Sequence, residues 1–176
     1  EVFGLLAAVV ILLISFGSLV AAGLPIVTAL FGIAIGLGGV QLWSAAVDTP
    51  DFTVQVASMV GLGVGIDYAL FIVTRYRENL HAGLDPEEAT VRAVDTSGRA
   101  VVFAGITVMV SLLGLFVVGL AFVRGLAVAG AIAVLVMMIA SITLLPSLLG
   151  FAGRSIENTS RAAALGLGRH GLAGGG

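Results

Sequence analysis

Apolar residues dominate the first part of the chain, and their run is long enough for two membrane crossings. From Val2 to Val47 there are 46 residues without a charge, whereas one crossing takes about 20 apolar residues. A break is predicted within residues 16–25, because glycines loosen the helix there and Pro25 suits the first turn of the next one. The pattern therefore predicts transmembrane helices near 2–18 and 24–46.

The rest of the chain carries three more apolar runs, which are separated by polar segments. A short acidic turn at 47–51 precedes the first run, and Arg124-Gly125 predicts a tight turn between the last two. The three further spans are predicted near 53–74, 100–122 and 126–149. The predicted fold class is therefore an all-α polytopic membrane protein with five transmembrane helices.

One sizeable polar stretch, 75–99, separates the third span from the fourth. Asp85 is a good N-cap residue, Pro86 fits the first helical position, and Glu88 completes the sequence of a capping box. These residues predict a short helix from Pro86 to about Asp95. Because it is polar and short, we expect it to lie along the cytoplasmic membrane surface.

Arginine positions indicate the orientation of the spans. Four Arg residues lie in the polar stretch and three follow the last span, so seven of the eight share one side if five helices alternate. The positive-inside rule places that side in the cytoplasm. The transmembrane bundle is predicted over 1–153, and an Ala-, Gly- and Arg-rich segment, 154–176, is predicted to be a flexible cytoplasmic tail or linker. The predicted membrane-interface anchors are Arg75, Tyr76, Arg77 and Arg99.

Composition agrees with a membrane protein and excludes other classes. Hydrophobic residues make up 59% of the chain and charged residues 10%, whereas a soluble domain has about 25% charged residues. The formal net charge of −2 provides no basic field for nucleic acid, and the absence of cysteine excludes disulfides and thiolate metal sites. The chain starts at Glu1 with no basic segment before the apolar run, so we expect an excerpt of a longer protein.

Asp67 is the one acidic or basic side chain inside a predicted span and away from its ends. It lies about 5 Å to the cytoplasmic side of the midpoint of 53–74, at ~1.5 Å per residue. A charged Asp at that depth costs about 2.5–3.5 kcal/mol on insertion scales. A neutral structural Asp is the alternative, although Asn would serve there without a charge to neutralise. We therefore expect Asp67 to take up a proton on one side of the membrane and release it on the other.

The glycines near Asp67 indicate close helix packing. Gly61 and Gly65 form a small-xxx-small pattern, and together with Gly63 they remove side chains one turn from the carboxyl group. Packing alone is the alternative to a special role in the relay, because glycine is common in membrane helices. Tyr68 lies too deep for an interfacial aromatic residue, so its hydroxyl is predicted to meet a carboxylate on a partner helix.

Other polar residues are weaker candidates. Thr107 and Ser111 lie four residues apart in the fourth span, where they either solvate a proton path or bond to carbonyls of their own helix. His81 and His170 have no neighbours at metal-ligand spacing. We therefore expect no metal and no cofactor, with protons as the coupling ion.

Two enzyme classes do not fit the sequence. An intramembrane aspartyl protease needs a second catalytic Asp, and the predicted spans contain no second buried Asp. A dinucleotide-binding fingerprint fails because Ile66 stands where its third glycine is required. The chain is therefore not expected to be an enzyme.

Four segments resemble the MMPL transporters of the RND superfamily. Residues 16–25 resemble the hairpin between the second and third helices of that family, and residues 65–78 resemble its fourth helix. Residues 96–103 resemble the start of the fifth helix, and residues 144–149 resemble the end of the sixth. The resemblance covers about 1–153, and the fourth-helix segment is its most specific part.

The resemblance implies a proton-driven exporter of lipids or hydrophobic compounds, a class best known from mycobacteria and other actinobacteria. It implies that the five spans are helices two to six of twelve, with the first helix and a periplasmic domain before Glu1. By this likeness Asp67 and Tyr68 are half of the proton relay and face a matching pair on helix ten. Some relatives carry Ser where this chain has Ala104, so any relay role of that Ser is lost or moves to Thr107.

The expected partners are the lipid bilayer, the missing second half of the same transporter and a hydrophobic substrate, and nucleic acid is not expected. Two rival interpretations remain. One is an RND relative that acts as a sterol- or lipid-sensing membrane module without transport. The other is a structural membrane scaffold in which Asp67 stays neutral.

Overall fold

The computed structural model describes the backbone of residues 19–46 and 49–171, and the side chains of 23–45 and 49–151. The first predicted span, 2–18, lies outside the described residues. Within the described ranges all regular structure is helical. The helices are α1 (Leu19–Ala46), α2 (Thr53–His81), α3 (Pro86–Ala93), α4 (Arg99–Leu113) and α5 (Ala121–Gly171), with a π-helix at Val94–Gly98 and a 3₁₀-helix at Gly114–Val118.

Four helical stretches in the described part of the chain are long and apolar enough to cross a membrane. They are Gly23–Ala45, Thr53–His81, Pro86–Val118 and Ala121–Phe151. They correspond to the second, third, fourth and fifth predicted spans. The structure therefore fits a polytopic membrane protein, and it accounts for four spans rather than five.

Pro25 is placed differently from the prediction. α1 begins at Leu19, so Pro25 lies inside the helix rather than in its first turn. A proline removes one backbone hydrogen bond, but membrane helices tolerate this where neighbouring groups satisfy the freed carbonyl. The structure therefore shows continuous helix over 19–25, where the sequence predicts a break, and residues 16–18 lie outside the described part of the chain.

α2 begins at Thr53, as predicted, but it continues seven residues beyond the predicted end of the span at residue 74. Residues 75–81 are polar, yet they are helix-compatible and extend the same helix. Gly83 has a φ of 92°, which only glycine adopts readily, and its N–H donates to the carbonyl of Leu80 at 3.0 Å. The helix therefore ends at the glycine turn and not where the apolar run ends.

α3 starts as the sequence predicts, but it is not a separate surface helix. The Asp85 carboxylate accepts a hydrogen bond from the N–H of Glu88 at 2.7 Å, and Pro86 occupies the start of the helix. The helix then runs without interruption through the π-helix into α4. Ala89 and Ala93 are both fully buried, because their small side chains allow α3 to pack on α2 and α5. The predicted surface helix is therefore the polar beginning of the long helical stretch Pro86–Val118 and not a separate element.

Removing the Asp85 cap is expected to weaken the start of α3. In Asp85→Ala the N–H of Glu88 loses its side-chain acceptor, and loss of such a cap costs about 0.5–2 kcal/mol. Hydrogen exchange of the Glu88 amide should accelerate by roughly 2- to 30-fold. Asp85→Asn keeps the acceptor oxygen and serves as the control. Equal exchange rates in Asp85→Ala and the unmodified protein would contradict the capping role.

The turn between the last two spans lies earlier than predicted. Gly119 has a φ of 80° and ends the 3₁₀-helix, so α5 already begins at Ala121. Arg124 and Gly125 consequently lie inside α5. Gly125 is buried there, and a Cβ atom on it would lie 3.1 Å from the Cγ2 atom of Thr49. The glycine that sequence analysis assigns to a turn therefore serves close packing.

α5 continues to Gly171, whereas the sequence predicts a flexible tail from residue 154. Residues 161–165 are Arg, three Ala and Leu, which are among the strongest helix formers. Local propensity thus accounts for helical backbone in a segment that lacks the pattern of a membrane span. The domain boundary at 153 stays a prediction.

Two adjacent methionines of α5 connect the bundle. Met137 is 1% exposed and packs against Gly32 of α1 and Gly65 of α2. A Cβ atom on Gly65 would lie 2.8 Å from both the Sδ and the Cε of Met137, so the side chain fills a notch that only glycine leaves open. Met138 fills the corresponding notch at Gly105 of α4, where a Cβ would lie 2.7 Å from its Sδ. α5 is therefore the central helix of the described bundle.

Candidate functional site

Asp67 lies on the outer face of α2. The buried face of this helix repeats every four residues from Thr53 to Gly65, whereas Gly63, Asp67 and Phe71 are exposed. Among the residues that the structure describes, Asp67 forms no ion pair or side-chain hydrogen bond. The carboxyl group thus stands on a surface that this part of the chain leaves uncovered.

Tyr68 points to the other side of α2. It is 7% exposed and belongs to a core cluster that includes Ile72 and Met138. Its hydroxyl is buried and has no hydrogen-bond partner among the described residues. Asp67 and Tyr68 are adjacent in sequence, but the helix directs them about 100° apart. The two side chains therefore do not share one face of the bundle.

The three glycines near Asp67 have different surroundings. Gly61 and Gly65 are buried, and Cβ atoms there would contact Ala133 and Met137 of α5. Gly63 is exposed, and a Cβ atom on it would meet nothing within 4 Å. The small-xxx-small pair thus serves packing within the bundle, while Gly63 lies on the same open face as Asp67.

Thr107 and Ser111 are not brought to Asp67. Both are exposed on α4, and each donates its hydroxyl hydrogen to its own helix, Thr107 to the carbonyl of Phe103 at 2.8 Å and Ser111 to the carbonyl of Thr107 at 2.9 Å. α4 packs mainly on α5. The structure thus favours the second of the two interpretations of these hydroxyls.

Two of the three arginines predicted as interface anchors, Arg75 and Arg99, take part in local ion pairs. The Arg75 guanidinium donates to Glu78 at 2.7 Å, and that of Arg99 donates to Asp95 at 2.9 Å. All four side chains are at least half exposed. Such exposed pairs contribute about 0–1 kcal/mol each, so they leave both arginines available to the headgroup region.

Tyr76 does not fit the predicted anchor role. It is 4% exposed, belongs to the same core cluster as Tyr68, and its buried hydroxyl has no partner among the described residues. An interfacial aromatic residue presents its ring to the headgroups. The periodicity of α2 turns Tyr76 inward, because it lies eight residues, or slightly more than two turns, after Tyr68.

Sequence reasoning missed the pairs formed by methionine and glycine. The sequence feature that could have predicted them is the adjacent pair Met137 and Met138 in the middle of a span. The neighbouring helices carry glycines against which these methionines pack. No group of three or more His, Cys, Asp or Glu lies together in the part of the chain that the structure describes. The candidate site thus consists of one carboxyl group, its open helix face and the packing beneath it.

Comparison with known proteins identifies the family. The profile of the MMPL family matches residues 1–167. This chain belongs to the MMPL family. The match includes all four described membrane stretches and confirms the resemblance found in the four sequence segments.

Several MMPL relatives are similar over most of this chain. Membrane protein YdfJ of Bacillus subtilis is 46% identical over 154 residues, which are 88% of this chain and 21% of YdfJ. The trehalose monomycolate exporter MmpL3 of Mycobacterium tuberculosis is 38% identical over 157 residues, 89% of this chain and 17% of MmpL3. The mycolic acid-containing lipids exporter MmpL11 of Mycolicibacterium smegmatis is 37% identical over 151 residues, 86% of this chain and 16% of MmpL11.

The chain therefore spans about a fifth of the length of the MMPL relatives that it matches. Like them, it is a membrane protein, and the structure provides four helical stretches for the membrane. Two of the three relatives are named as lipid exporters.

Proposed function

We propose that this chain forms part of an MMPL exporter that moves lipids or hydrophobic compounds with the energy of the proton-motive force. Membership of the family and the names of MmpL3 and MmpL11 support lipid export. The single observation that supports proton coupling is the position of Asp67. It is the one acidic or basic residue within 53–74, and it lies on an open face of α2.

The energetic argument starts from the cost of this carboxyl group. A charged Asp near the middle of a membrane costs about 2.5–3.5 kcal/mol on insertion scales. Such a group is retained where protein or water covers it, and here the described helices leave it exposed. We therefore expect another part of the full-length transporter to cover this face. In the proposal, that part is a helix with a matching Asp–Tyr pair.

Protonation provides the switch. When the Asp67 carboxyl is neutral, the face of α2 is apolar and packs closely on its partner helix. When the proton leaves, the anion requires water or a hydrogen-bond donor, and the helices shift to supply it. A membrane potential supplies about 2.3 kcal/mol per charge per 100 mV to drive this cycle. Tyr68, which faces inward in the described bundle, is proposed to join the relay only after it reorients toward the partner.

The proposed topology has five helices from this chain, with 75–99 and 154–176 in the cytoplasm of the bacterial inner membrane. Seven of the eight arginines then lie on the cytoplasmic side. Protons are the coupling ion, no other cofactor is proposed, and the chain performs no enzymatic step. The hydrophobic cargo binds largely outside this part of the protein.

Two measurements test the proposal: infrared difference spectroscopy of the carboxyl group, and lipid export in the presence of an uncoupler. In membranes that contain the full-length transporter, a pH change should alter a protonated-carboxyl band, and this change should be missing in Asp67→Asn. An uncoupler should stop export of acetate-labelled lipid to the cell surface. A sterol- or lipid-sensing module would not respond to the uncoupler, and a structural scaffold would show no carboxyl titration. Either result would refute proton-coupled export by this chain.

A further inference from the structure

A cleft opens beside the polar end of α2. It lies between that end of the helix and the π-helix Val94–Gly98, and its volume is about 350 Å³. Phe71, Thr74, Arg75 and Glu78 line it on one side, and Thr96 and Ser97 line it on the other. It is therefore large enough for several water molecules, each of which occupies about 30 Å³ in the liquid.

The cleft lies on the same face of α2 as Asp67. At about 100° per residue, Thr74 and Glu78 are each within about 20° of Asp67 around the helix axis. Phe71, one turn from Asp67, forms the near end of the cleft and is 53% exposed. The cleft thus starts about 6 Å along the axis from the carboxyl group, at ~1.5 Å per residue, and extends toward the helix end.

The lining can hold water. Three hydroxyl groups and the 2.7 Å ion pair between Arg75 and Glu78 border the cleft. Water in a protein requires two to four polar partners, and this lining supplies them. Both side chains of the ion pair are about half exposed, so their charged groups can contact that water. The π-helix that forms the opposite wall is a rare element that is frequent at functional sites.

We propose that this cleft is the water-filled vestibule through which Asp67 exchanges protons with the cytoplasm. The inference rests on the proposed function and its topology. On release, the O–H bond of the Asp67 carboxyl group breaks, the proton passes to a water molecule in the cleft as hydronium, and the carboxylate remains. The positive charge then moves along the cleft waters to the cytoplasm. On loading, Asp67 takes its proton from the opposite side.

A cysteine in the cleft tests this proposal, and the chain has no native cysteine to interfere. Thr74→Cys places a thiol of similar size on the cleft wall. Gly23→Cys is the matched control at equal depth. Met137 packs on Gly32 of α1 and on Gly65 of α2, so these two glycines lie at the same level. Gly23 lies nine residues from Gly32, and Thr74 lies nine residues from Gly65 in the same direction, because α1 and α2 are antiparallel. A Cβ atom at Gly23 meets none of the described atoms within 4 Å, so cysteine fits among them.

The full-length transporter, otherwise free of reactive cysteine, is treated in inverted membrane vesicles with a membrane-impermeant quaternary-ammonium methanethiosulfonate. The thiol in Thr74→Cys should react at least about tenfold faster than that in Gly23→Cys, because thiolates form only in water. Energised vesicles are then assayed for movement of acetate-labelled lipid to the lumenal leaflet. The reagent should reduce this movement at least about tenfold in Thr74→Cys alone, and a reducing agent should restore it.

Reaction at Thr74→Cys no faster than at Gly23→Cys overturns the vestibule, and so does modification without loss of transport. These results are separable from failure of the proposed function. If Asp67→Asn abolishes export while Thr74→Cys stays unreactive, only the vestibule is wrong. If Asp67→Asn exports normally, the proposed proton relay is wrong, and the vestibule proposal, which depends on that relay, is wrong as well.

Discussion

A full-length transporter that carries Asp67→Asn should reach the membrane in normal amount and export no lipid. Asn has nearly the shape of Asp, but its amide does not titrate, so the proposed cycle of proton loading and release stops. Insertion should not suffer, because a neutral amide costs less than a carboxylate in the membrane. The fold should not suffer either, since the Asp67 side chain makes no ion pair or hydrogen bond with the described residues.

Export is measured as the fraction of acetate-labelled lipid at the cell surface, in a strain whose own transporter gene is deleted. We expect Asp67→Asn to match the deletion strain, a loss of at least about 100-fold. Asp67→Glu keeps a titratable group on the same face and should retain part of the activity. Glu87→Gln removes an exposed carboxylate outside the open face and should export normally. Export by Asp67→Asn above a tenth of the normal rate would be incompatible with the relay.

The membrane stretches and the one unusual carboxyl group were predictable from the sequence for the same physical reason. Lipid cannot hydrogen-bond to the backbone, so a span must be a helix of about 20 apolar residues, and such runs are visible in any sequence. A single Asp in such a run is visible for the same reason. The N-cap at Asp85 was also predictable, because it depends on a local hydrogen bond within four residues.

The direction of side chains was not predictable, because it depends on neighbours that are distant in sequence. All positions around a membrane helix are apolar, so hydrophobic periodicity does not separate the inner face from the outer one. Tyr76 illustrates this point, since its position near the end of a span suits an interfacial residue while its burial at 4% exposure comes from packing on α3 and α5. The predicted surface helix was wrong for a related reason, because the burial of Ala89 and Ala93 depends on contact with α2 and α5.

Two of the helix ends depend on glycines in a left-handed conformation, and the sequence does not show which glycines adopt it. Gly83 and Gly119 have positive φ values, whereas Gly125 lies inside α5 and packs on Thr49. Tertiary packing thus decides between a glycine that ends a helix and one that permits close approach.

Leucine at Gly65 is expected to prevent correct packing of the bundle. A Cβ atom there would already lie 2.8 Å from the Sδ and the Cε of Met137, and leucine adds three more carbon atoms in the same direction. Met137 has little room to move away, because it is 1% exposed and its other side packs on Gly32. Overpacking typically costs about 1–3 kcal/mol and sometimes more. We expect a large fall in the amount of folded transporter and in its melting temperature.

Two further variants show whether the methionine is the cause. Gly38→Leu places the same side chain on the exposed face of α1, where a Cβ atom meets nothing within 4 Å, and should leave the melting temperature unchanged. Gly65→Leu combined with Met137→Ala removes the obstructing side chain, so the double variant should be more stable than the sum of the two single effects predicts. Met137→Ala alone should cost about 2–5 kcal/mol through the cavity that it leaves. Additive losses in the double variant would show that Gly65 and Met137 do not pack against each other, and the central position of α5 would then need another explanation.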